Sequence, residues 1–307
     1  MIGGGEMGAA DIPAGAVRRP VQIEIGGIVT AIDSPNPALT LALPPAVERF
    51  ATNDKTADID VSAHWRWKEW QPAGRLLFDS GGLWRLHEAD GRMVWTFTSP
   101  RFGSAPYKTA VFSPDFSDGF VHLHGPYFDP AAPIYPLEYP LDELVITNWL
   151  ALGRGVEVHA CAVRDNDGAG YLFAGHSGAG KSTIAALWAT EPGVTVLSDD
   201  RVILRKVDGE IWMYGTPWHG DEPLAAPART RLTRGFFLNH GPVNSLTDAR
   251  PAHVVAKLMT CSFPPFYSAR ALDFTMSFLT DASRCASFLE FGFVPDRRAI
   301  AVVRAIT

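Results

Sequence analysis

The nine residues from 175 to 183 constrain this chain more than any other stretch. They read Gly-His-Ser-Gly-Ala-Gly-Lys-Ser-Thr, which matches the P-loop pattern of a glycine, four residues and then Gly-Lys-Ser/Thr. The glycines let the backbone turn several N–H groups inward as an anion-binding nest. The lysine is a point charge for the β- and γ-phosphates, and the serine hydroxyl can ligate Mg²⁺. The stretch therefore predicts binding of a nucleoside triphosphate.

The flanking sequence favours a phosphate loop over a glycine-rich turn without function. Residues 170–174 form a short apolar run, as in a buried strand, and residues 182–189 have the pattern of a helix. A phosphate group would then lie at a helix N-terminus. The residues expected to hold ATP are Gly175, His176, Ser177, Gly178, Ala179, Gly180, Lys181, Ser182 and Thr183.

A pair of acidic residues follows the next expected strand. The apolar run at residues 194–197 is followed by Ser198, Asp199 and Asp200. Carboxylates at the carboxyl end of a strand beside the P-loop lie where α/β sheets bind their ligands. One carboxylate can hold Mg²⁺ together with Ser182, and the other can accept the proton of an attacking hydroxyl group. The alternative is that the two acids only cap the hairpin that follows.

His159 is the third candidate. It lies on the apolar run of residues 156–163, which we expect to form a strand beside the P-loop strand. A single histidine on an apolar strand is more often a core residue with satisfied hydrogen bonds than a catalytic group. Because both neighbouring strands are expected to end at the phosphate, the catalytic and the core interpretations of His159 stay open.

The composition of the 307 residues excludes several classes of protein. Hydrophobic residues make up 47% and charged residues 20%, values typical of a globular rather than a disordered chain. The net charge of −6 argues against a general nucleic-acid binder. No apolar run approaches the length of about 18 residues that a membrane-spanning helix needs, and the N-terminus lacks a signal-peptide pattern. Three widely spaced cysteines predict reduced, buried thiols and a cytoplasmic location.

The domain organisation is predicted from shifts in composition. Residues 1–19 are rich in glycine and alanine and are expected to be a flexible tail, and residues 20–125 are expected to form a β-rich N-terminal domain. Five prolines in residues 126–140 predict a stiff, extended linker. Residues 141–307 follow as an α/β P-loop domain. Within the N-terminal domain, three segments at residues 62–70, 75–78 and 83–87, the last leading on to residues 93–97, are expected to form antiparallel hairpins.

Beyond the P-loop and its flanks, the patterns predict the remaining elements of the second domain. They are a helix at residues 141–152, a hairpin of strands at 202–204 and 211–214, helices near 253–259 and 269–279, a strand at 288–293 and a helix at 296–306.

Aromatic and histidine clusters in the first half offer weaker candidates. Trp65, Trp67 and Trp70 could form a stacking platform for a base or sugar, but two tryptophans at alternate positions are expected to share a strand face and pack inward. His122 and His124 also share a strand face, yet two ligands without a third make a weak metal site. We therefore expect no metal there.

A polar loop after the expected strand at residues 211–214 contains His219, Asp221 and Glu222. It could contribute a further carboxylate to Mg²⁺. An ordinary solvated loop is at least as good an interpretation.

Three segments together, VEVHACAV, YLFAGHSGAGKST and VLSDDRVIL, resemble the catalytic domain of HPr kinase/phosphorylase and its relatives. This group is allied by fold to ATP-dependent phosphoenolpyruvate carboxykinase. The resemblance covers roughly residues 141–217 and implies a P-loop kinase domain of that type, preceded by a smaller β-rich domain.

The resemblance also implies roles for individual residues. His159 would help to activate an acid, Asp199 would accept the proton, Asp200 would assist Mg²⁺, and Lys181 would contact the transferred phosphate. The chain departs from the family at Thr183, where an acid is common, and has no counterpart of the arginine-bearing loop used in the phosphorylase reaction. HPr itself as acceptor is therefore not implied.

The expected function is an ATP- and Mg²⁺-dependent kinase that phosphorylates a hydroxyl group, with a serine or threonine of a peptide or small protein as acceptor. The alternatives are a small-molecule kinase and a regulatory module that binds ATP without transferring phosphate. A transporter ATPase is disfavoured because no Leu-Ser-Gly-Gly signature follows the P-loop. Neither a nucleic-acid nor a membrane partner is expected, and a homo-oligomer stays open.

Overall fold

The computed structural model describes residues 19–68, 74–218, 220 and 224–306 and is a mixed α/β structure dominated by two β-sheets. The strands of the first sheet are β1 (Val21–Ile25), β2 (Ile28–Asp33), β3 (Ala51–Thr52), β4 (Ile59–Arg66), β5 (Arg75–Asp79), β6 (Trp84–Ala89), β7 (Arg92–Ser99), β8 (Gly103–Phe112) and β9 (Asp118–His124). Their order in the sheet is β3-β1-β2-β4-β9-β8-β7-β6-β5.

Pairing in the first sheet is mostly antiparallel, as expected for hairpins. Strands β5, β6, β7, β8 and β9 form a continuous antiparallel meander, which confirms the hairpins predicted after residue 75. The strand before them, β4, does not form a hairpin with β5. Strand β4 instead lies between β2 and β9, which are distant in sequence, and pairs in parallel with both.

The second sheet carries the P-loop sequence. Its strands are β10 (Val156–Arg164), β11 (Gly170–Ala174), β12 (Thr195–Ser198), β13 (Arg201–Val207), β14 (Glu210–Tyr214), β15 (Arg229–Arg231), β16 (Arg234–His240), β17 (Ser245–Asp248) and β18 (Ser287–Phe293). The order is β15-β14-β13-β10-β11-β16-β18-β17, with β12 also paired to β10. As expected, β10 lies directly beside β11.

The helices are α1 (Pro45–Glu48), α2 (Leu141–Leu150), α3 (Lys181–Ala189), α4 (Pro251–Thr260), α5 (Ala269–Cys285) and α6 (Arg298–Arg304), with a short 3-10 turn at Gly125–Tyr127. Alternate residues of β10 face opposite sides of the sheet. Val158 packs in a cluster that includes residues of α4 and α5, and Val163 packs in one that includes residues of α3 and α6. The second sheet is therefore covered by helices on both faces.

Helix α2 belongs to the core of the first sheet as much as to the second half of the chain. Leu141, Val145 and Trp149 are buried in one cluster with side chains of β1, β2, β4, β7 and β9. Ile203 of β13 and Tyr214 of β14 complete the same cluster. One continuous hydrophobic core thus joins the first sheet, α2 and part of the second sheet. The domain boundaries at residues 125 and 141 stay a prediction.

The proline-rich segment differs from the extended linker expected at residues 126–140. Ile134 forms a bridge with Leu41, and Leu137 is buried in the core of the first sheet. Backbone hydrogen bonds fold the segment into successive turns. Prolines stiffen these turns, and the apolar residues between them pack the segment against the first sheet.

Two further expectations can be compared with the fold. Among the described residues, no helix is long and apolar enough to cross a membrane. Cys161 and Cys261 are buried free thiols as expected, whereas Cys285 is exposed at the end of α5. The expectation of burial was therefore wrong for Cys285.

Candidate active site

The glycine-rich loop at residues 175–183 connects the end of β11 to the first turn of α3, as the sequence predicts. Gly178 and Gly180 have φ angles of 81° and 102°, in the region that disfavours other residues. A Cβ atom on Gly180 would lie 2.9 Å from the ring of Phe293, so a larger residue is also excluded by packing. His176 and Ser177 are exposed at the loop tip. The loop thus presents its backbone to solvent at the positive end of a helix.

The loop is held from two sides. The Nε2 atom of His240, at the end of β16, lies 2.9 Å from the carbonyl oxygen of Gly178. From within, the Nζ atom of Lys181 donates to the carbonyl oxygens of Gly175 and His176 at 3.0 and 3.1 Å. Burial lowers the pKa of Lys181, while the charge of the nearby Asp200 raises it. The loop therefore holds Lys181 in position, and the two together would bind phosphate.

The acidic pair lies at the same edge of the sheet as the glycine-rich loop. Strands β11 and β12 are both antiparallel to β10, so their carboxyl ends meet at one edge. Ala160 of β10 pairs with Ala174 at the end of β11 and donates its N–H to the carbonyl oxygen of Asp200 at 3.0 Å. Asp199 is fully buried and accepts the backbone N–H of Gly220 at 3.1 Å.

His159 contacts the second aspartate, not the first. Its Nε2 atom lies 2.8 Å from Oδ1 of Asp200, and both side chains are about one-quarter exposed. The resemblance had implied that His159 supports Asp199. The geometry differs because Asp200 directly precedes Arg201, the β13 residue that pairs with His159. Burial raises the pKa of Asp200, but the hydrogen bond from His159 and the charge of Arg201 outweigh it and lower the pKa overall.

Arg201 anchors a charged cluster that the sequence analysis did not identify. Its Nε atom lies 3.1 Å from Glu143, 3.7 Å from Glu157 and 3.5 Å from Asp200. The guanidinium group also lies 3.8 Å from the ring centroid of Phe263. A sequence signal existed, because Glu157 is a single acid in the apolar strand that contains His159.

Glu157 is the most deeply buried acid of this cluster. Burial, followed by the neighbouring charge of Glu143, raises the pKa of Glu157 well above its usual value. The Thr147 hydroxyl donates to one oxygen of Glu157 at 2.6 Å, while the other oxygen has no hydrogen-bond partner among the described residues. The two glutamates and Arg201 therefore form a buried charged support immediately behind Asp200.

The weaker sequence candidates have different outcomes. Trp65 packs against the first core, but Trp67 is 62% exposed beyond the end of β4, so the inward packing predicted for both tryptophans is wrong for Trp67. Trp70 lies outside the described residues, as do His219, Asp221 and Glu222 of the polar loop.

His122 of β9 lies beside a histidine of β4, a contact that the sequence analysis did not identify. The rings of His122 and His64, on the paired strand β4, are 5.7 Å apart, and burial lowers the pKa of His122 to about 4. Within the ranges that the structure describes, no three His, Cys, Asp or Glu side chains cluster as a metal site would require.

The residues at the loop fit the phosphates and metal ion of a nucleotide. The exposed glycine-rich backbone and the start of α3 suit an anion, and Lys181 supplies a positive charge. Ser182 is half-buried in the first turn of α3, where its hydroxyl is a hard oxygen ligand of the kind Mg²⁺ prefers. A nucleotide-bound Mg²⁺ also needs a carboxylate ligand, and Asp199 and Asp200 supply carboxylates at the same sheet edge.

Comparisons with known proteins give little further information. No family model matches the chain. No curated protein matches it. Among solved structures, the chain is weakly similar to the HPr(Ser) kinase/phosphatase from Coxiella burnetii, with 10% sequence identity and a TM-score of 0.29. That match covers 49% of this chain and 93% of the other. With so low a TM-score the likeness is weak, and no residue role is taken from it.

Proposed function

We propose that this chain is an ATP-dependent kinase that transfers the γ-phosphate to a hydroxyl group. The observation that supports it is the convergence of the glycine-rich loop and the pair of His159 and Asp200 at one edge of the second sheet. The charge of Asp200 raises the pKa of Lys181 and the charge of Lys181 lowers the pKa of Asp200, so the two halves of the site interact electrostatically.

The loop residues 175–183 would hold the phosphates of ATP, and Ser182 and Asp199 would hold Mg²⁺. Asp199 follows β12 at the same sheet edge as the loop, and binding the ion would require its carboxyl group to leave the backbone N–H of Gly220. When bound, Mg²⁺ supplies positive charge that offsets the charge developing on the phosphates.

Asp200 is the proposed proton acceptor. Its low pKa keeps it ionised at neutral pH, its side chain is partly exposed, and His159 fixes one carboxylate oxygen. An acceptor hydroxyl forms a bond to the γ-phosphorus, the bond from that phosphorus to the bridging oxygen breaks, ADP leaves and the hydroxyl proton passes to Asp200. This assignment reverses the roles that the resemblance implies for the two aspartates, because only Asp200 is both exposed and paired with the histidine.

The test compares Asp200→Asn with Asp199→Asn. We expect Asp200→Asn to lower the phosphoryl-transfer rate by about 10²–10⁴-fold while ATP affinity stays nearly constant, because asparagine cannot accept the proton. Asp199→Asn should raise the Mg²⁺ concentration needed for half-maximal transfer. Asp281→Asn, at an exposed ion pair with Lys206, is the matched control.

The measurement is transfer of labelled phosphate from ATP to serine peptides, to small hydroxyl compounds and to water. If Asp199→Asn loses transfer and Asp200→Asn keeps the parental rate, the proton-acceptor assignment is wrong. A chain that binds ATP but transfers phosphate to none of these would be the non-catalytic regulatory module.

A further inference from the structure

A cavity of about 620 Å³ adjoins the Asp200 side of the candidate active site. One wall comes from α1 and from the folded proline-rich segment, including Tyr139, and the other includes Asp200, Arg201 and Trp218. The volume lies within the range of small-molecule binding sites, roughly 300–1,000 Å³. Because Asp200 forms part of the wall, a group bound in this cavity has direct access to the proposed proton acceptor.

The charges around the cavity are unequal. Glu138 and Asp142 line it together with Asp200. The positive charge in the wall is Arg201, and it is already shared with Glu143 at 3.1 Å and with Asp200. An anion entering the cavity would therefore meet carboxylates without a cation that is available to bind it.

A second cation lies beneath the wall rather than in it. Lys108 is 1% exposed, and its Nζ atom donates to the carbonyl oxygen of Glu138 at 3.1 Å. Its Nζ atom lies 3.7 Å from a carboxylate oxygen of Glu138 and balances part of that charge from below, although burial lowers the pKa of Lys108 to about 8. The accessible carboxylates of the cavity are those of Glu138 and Asp200, whose side chains are 59% and 24% exposed, whereas Asp142 is buried.

A buried polar group in the wall lacks a partner. Trp218 is 6% exposed, and its indole N–H makes no hydrogen bond to any described residue. Burial raises the pKa of Asp142 to about 7, and the backbone N–H of Glu143, which donates to its carboxyl group at 2.8 Å, acts against this rise. The wall is thus a polar site with unsatisfied capacity, not a solvated acidic surface.

Aromatic side chains complete the cavity. Trp218 lines it beside the carboxylates, as do Phe128, Tyr135 and Tyr139. Aromatic faces next to carboxylates attract positively charged groups, through the ring quadrupole and through charge pairing. Neither feature favours a phosphate, a sulfate or a carboxylate.

We propose that this cavity binds the phosphoryl acceptor, and that the acceptor carries a positively charged group near the hydroxyl that is phosphorylated. This inference rests on the proposed kinase function and specifies its substrate class. The cation contacts Glu138 and the aromatic wall, the buried Asp142 adds negative charge behind them, and the hydroxyl lies at Asp200. The oxygen–phosphorus bond forms on that hydroxyl, ADP leaves, and the proton passes to Asp200.

The test uses matched probes that differ in charge. One pair is two serine peptides of equal length with lysine or glutamate on both sides of the serine, and the other is ethanolamine and glycolate. Phosphate transfer from ATP is measured for each probe with the full chain, Glu138→Gln, Asp142→Asn and the control Glu210→Gln. Glu210 is part of an exposed ion pair with Arg231 on strands β14 and β15. The peptide pair tests for a peptide acceptor, and the pair of ethanolamine and glycolate tests for a free metabolite.

We expect the cationic member of at least one pair to be phosphorylated with a kcat/KM at least about tenfold above that of its anionic partner. Glu138→Gln and Asp142→Asn should reduce this ratio by raising KM, and Glu210→Gln should leave it unchanged. Glu138→Gln keeps the test valid if Asp142→Asn does not fold, because the Glu138 side chain is 59% exposed.

Three results would overturn the inference. They are anionic probes that are equal or better acceptors, a ratio that is unchanged in both variants, and no phosphorylation of any probe although ATP binding depends on Lys181. The first two leave the kinase proposal standing, whereas the third indicates a module that binds ATP without transferring phosphate. ATP binding that does not depend on Lys181 is a different result, which rejects the proposed function and this inference with it.

Discussion

The Nε2 atom of His159 lies 2.8 Å from Oδ1 of Asp200, although 40 residues separate them in the sequence. The contact forms because the β10 strand that contains His159 pairs with β13, which begins immediately after Asp200. It distinguishes two adjacent aspartates that the sequence alone treats alike. Asp199 is buried under Gly220, and Asp200 faces the cavity.

Arg201 should be essential for the stability of the site. Arg201→Met leaves Glu143 and Glu157 without their shared cation in a buried setting, and removing one partner of such a cluster costs about 3 kcal/mol or more of the free energy of unfolding. Urea unfolding monitored by tryptophan fluorescence measures the loss. Arg231→Met, at an exposed ion pair with Glu210, should cost less than about 1 kcal/mol.

A double variant tests the cause of that loss. Replacing Glu157 with glutamine removes the buried acid. The double variant Arg201→Met, Glu157→Gln should therefore lose less free energy of unfolding than the sum of the losses in the two single variants. Strict additivity would mean that the two side chains do not stabilise each other.

Lys108 should make stability depend on pH in the alkaline range. Burial lowers its pKa from 10.5 to about 8, so between these values the unfolded chain binds more protons than the folded one. The free energy of unfolding should therefore rise with pH across this window, by up to about 3 kcal/mol from this lysine alone. Lys108→Met should lack this part of the rise, and Lys55→Met, at a surface ion pair, should retain it.

Urea unfolding of the three proteins at a series of pH values between about 7.5 and 10 measures the effect. Identical pH dependence in the parent and in Lys108→Met would show that the buried ammonium group does not control it.

The shared core predicts the behaviour of a fragment. A chain beginning at residue 141 exposes Leu141, Val145, Ile146 and Trp149, which are buried against the first sheet, at a cost of about 2 kcal/mol for each large side chain. We expect this fragment to aggregate or to lack a cooperative thermal transition. A soluble fragment 141–307 that unfolds cooperatively and binds ATP would mean that the second half is an independent domain.

Much of the second sheet could be predicted from local patterns. The apolar runs at residues 156–163, 170–174 and 194–197 are strands, and the helix after the glycine-rich loop lies where its pattern indicates. These elements carry their own signals, because a buried strand is a short apolar run and a phosphate loop has a fixed spacing. The candidate residues of the site came from the same runs.

Long-range pairing could not be predicted in this way. Strand β16 (Arg234–His240) was not identified, although it pairs in parallel with β11 and supplies His240 to the glycine-rich loop. A parallel partner is joined by a long crossover, so nothing in the local sequence records which strand it pairs with. Arg201 was missed for a similar reason, since its contacts with Glu143 and Phe263 connect three distant segments.

The claim that the glycine-rich loop binds ATP is tested most directly by calorimetric titration of Mg²⁺-ATP into the parent chain, Lys181→Ala and Lys206→Ala. Lys181 is buried in the loop, whereas Lys206 forms an exposed ion pair with Asp281. We predict that Lys181→Ala weakens ATP binding by at least about tenfold, because the phosphates lose a buried cation, and that Lys206→Ala binds like the parent. Equal ATP affinity in Lys181→Ala and the parent, or no ATP binding by the parent, would contradict the claim.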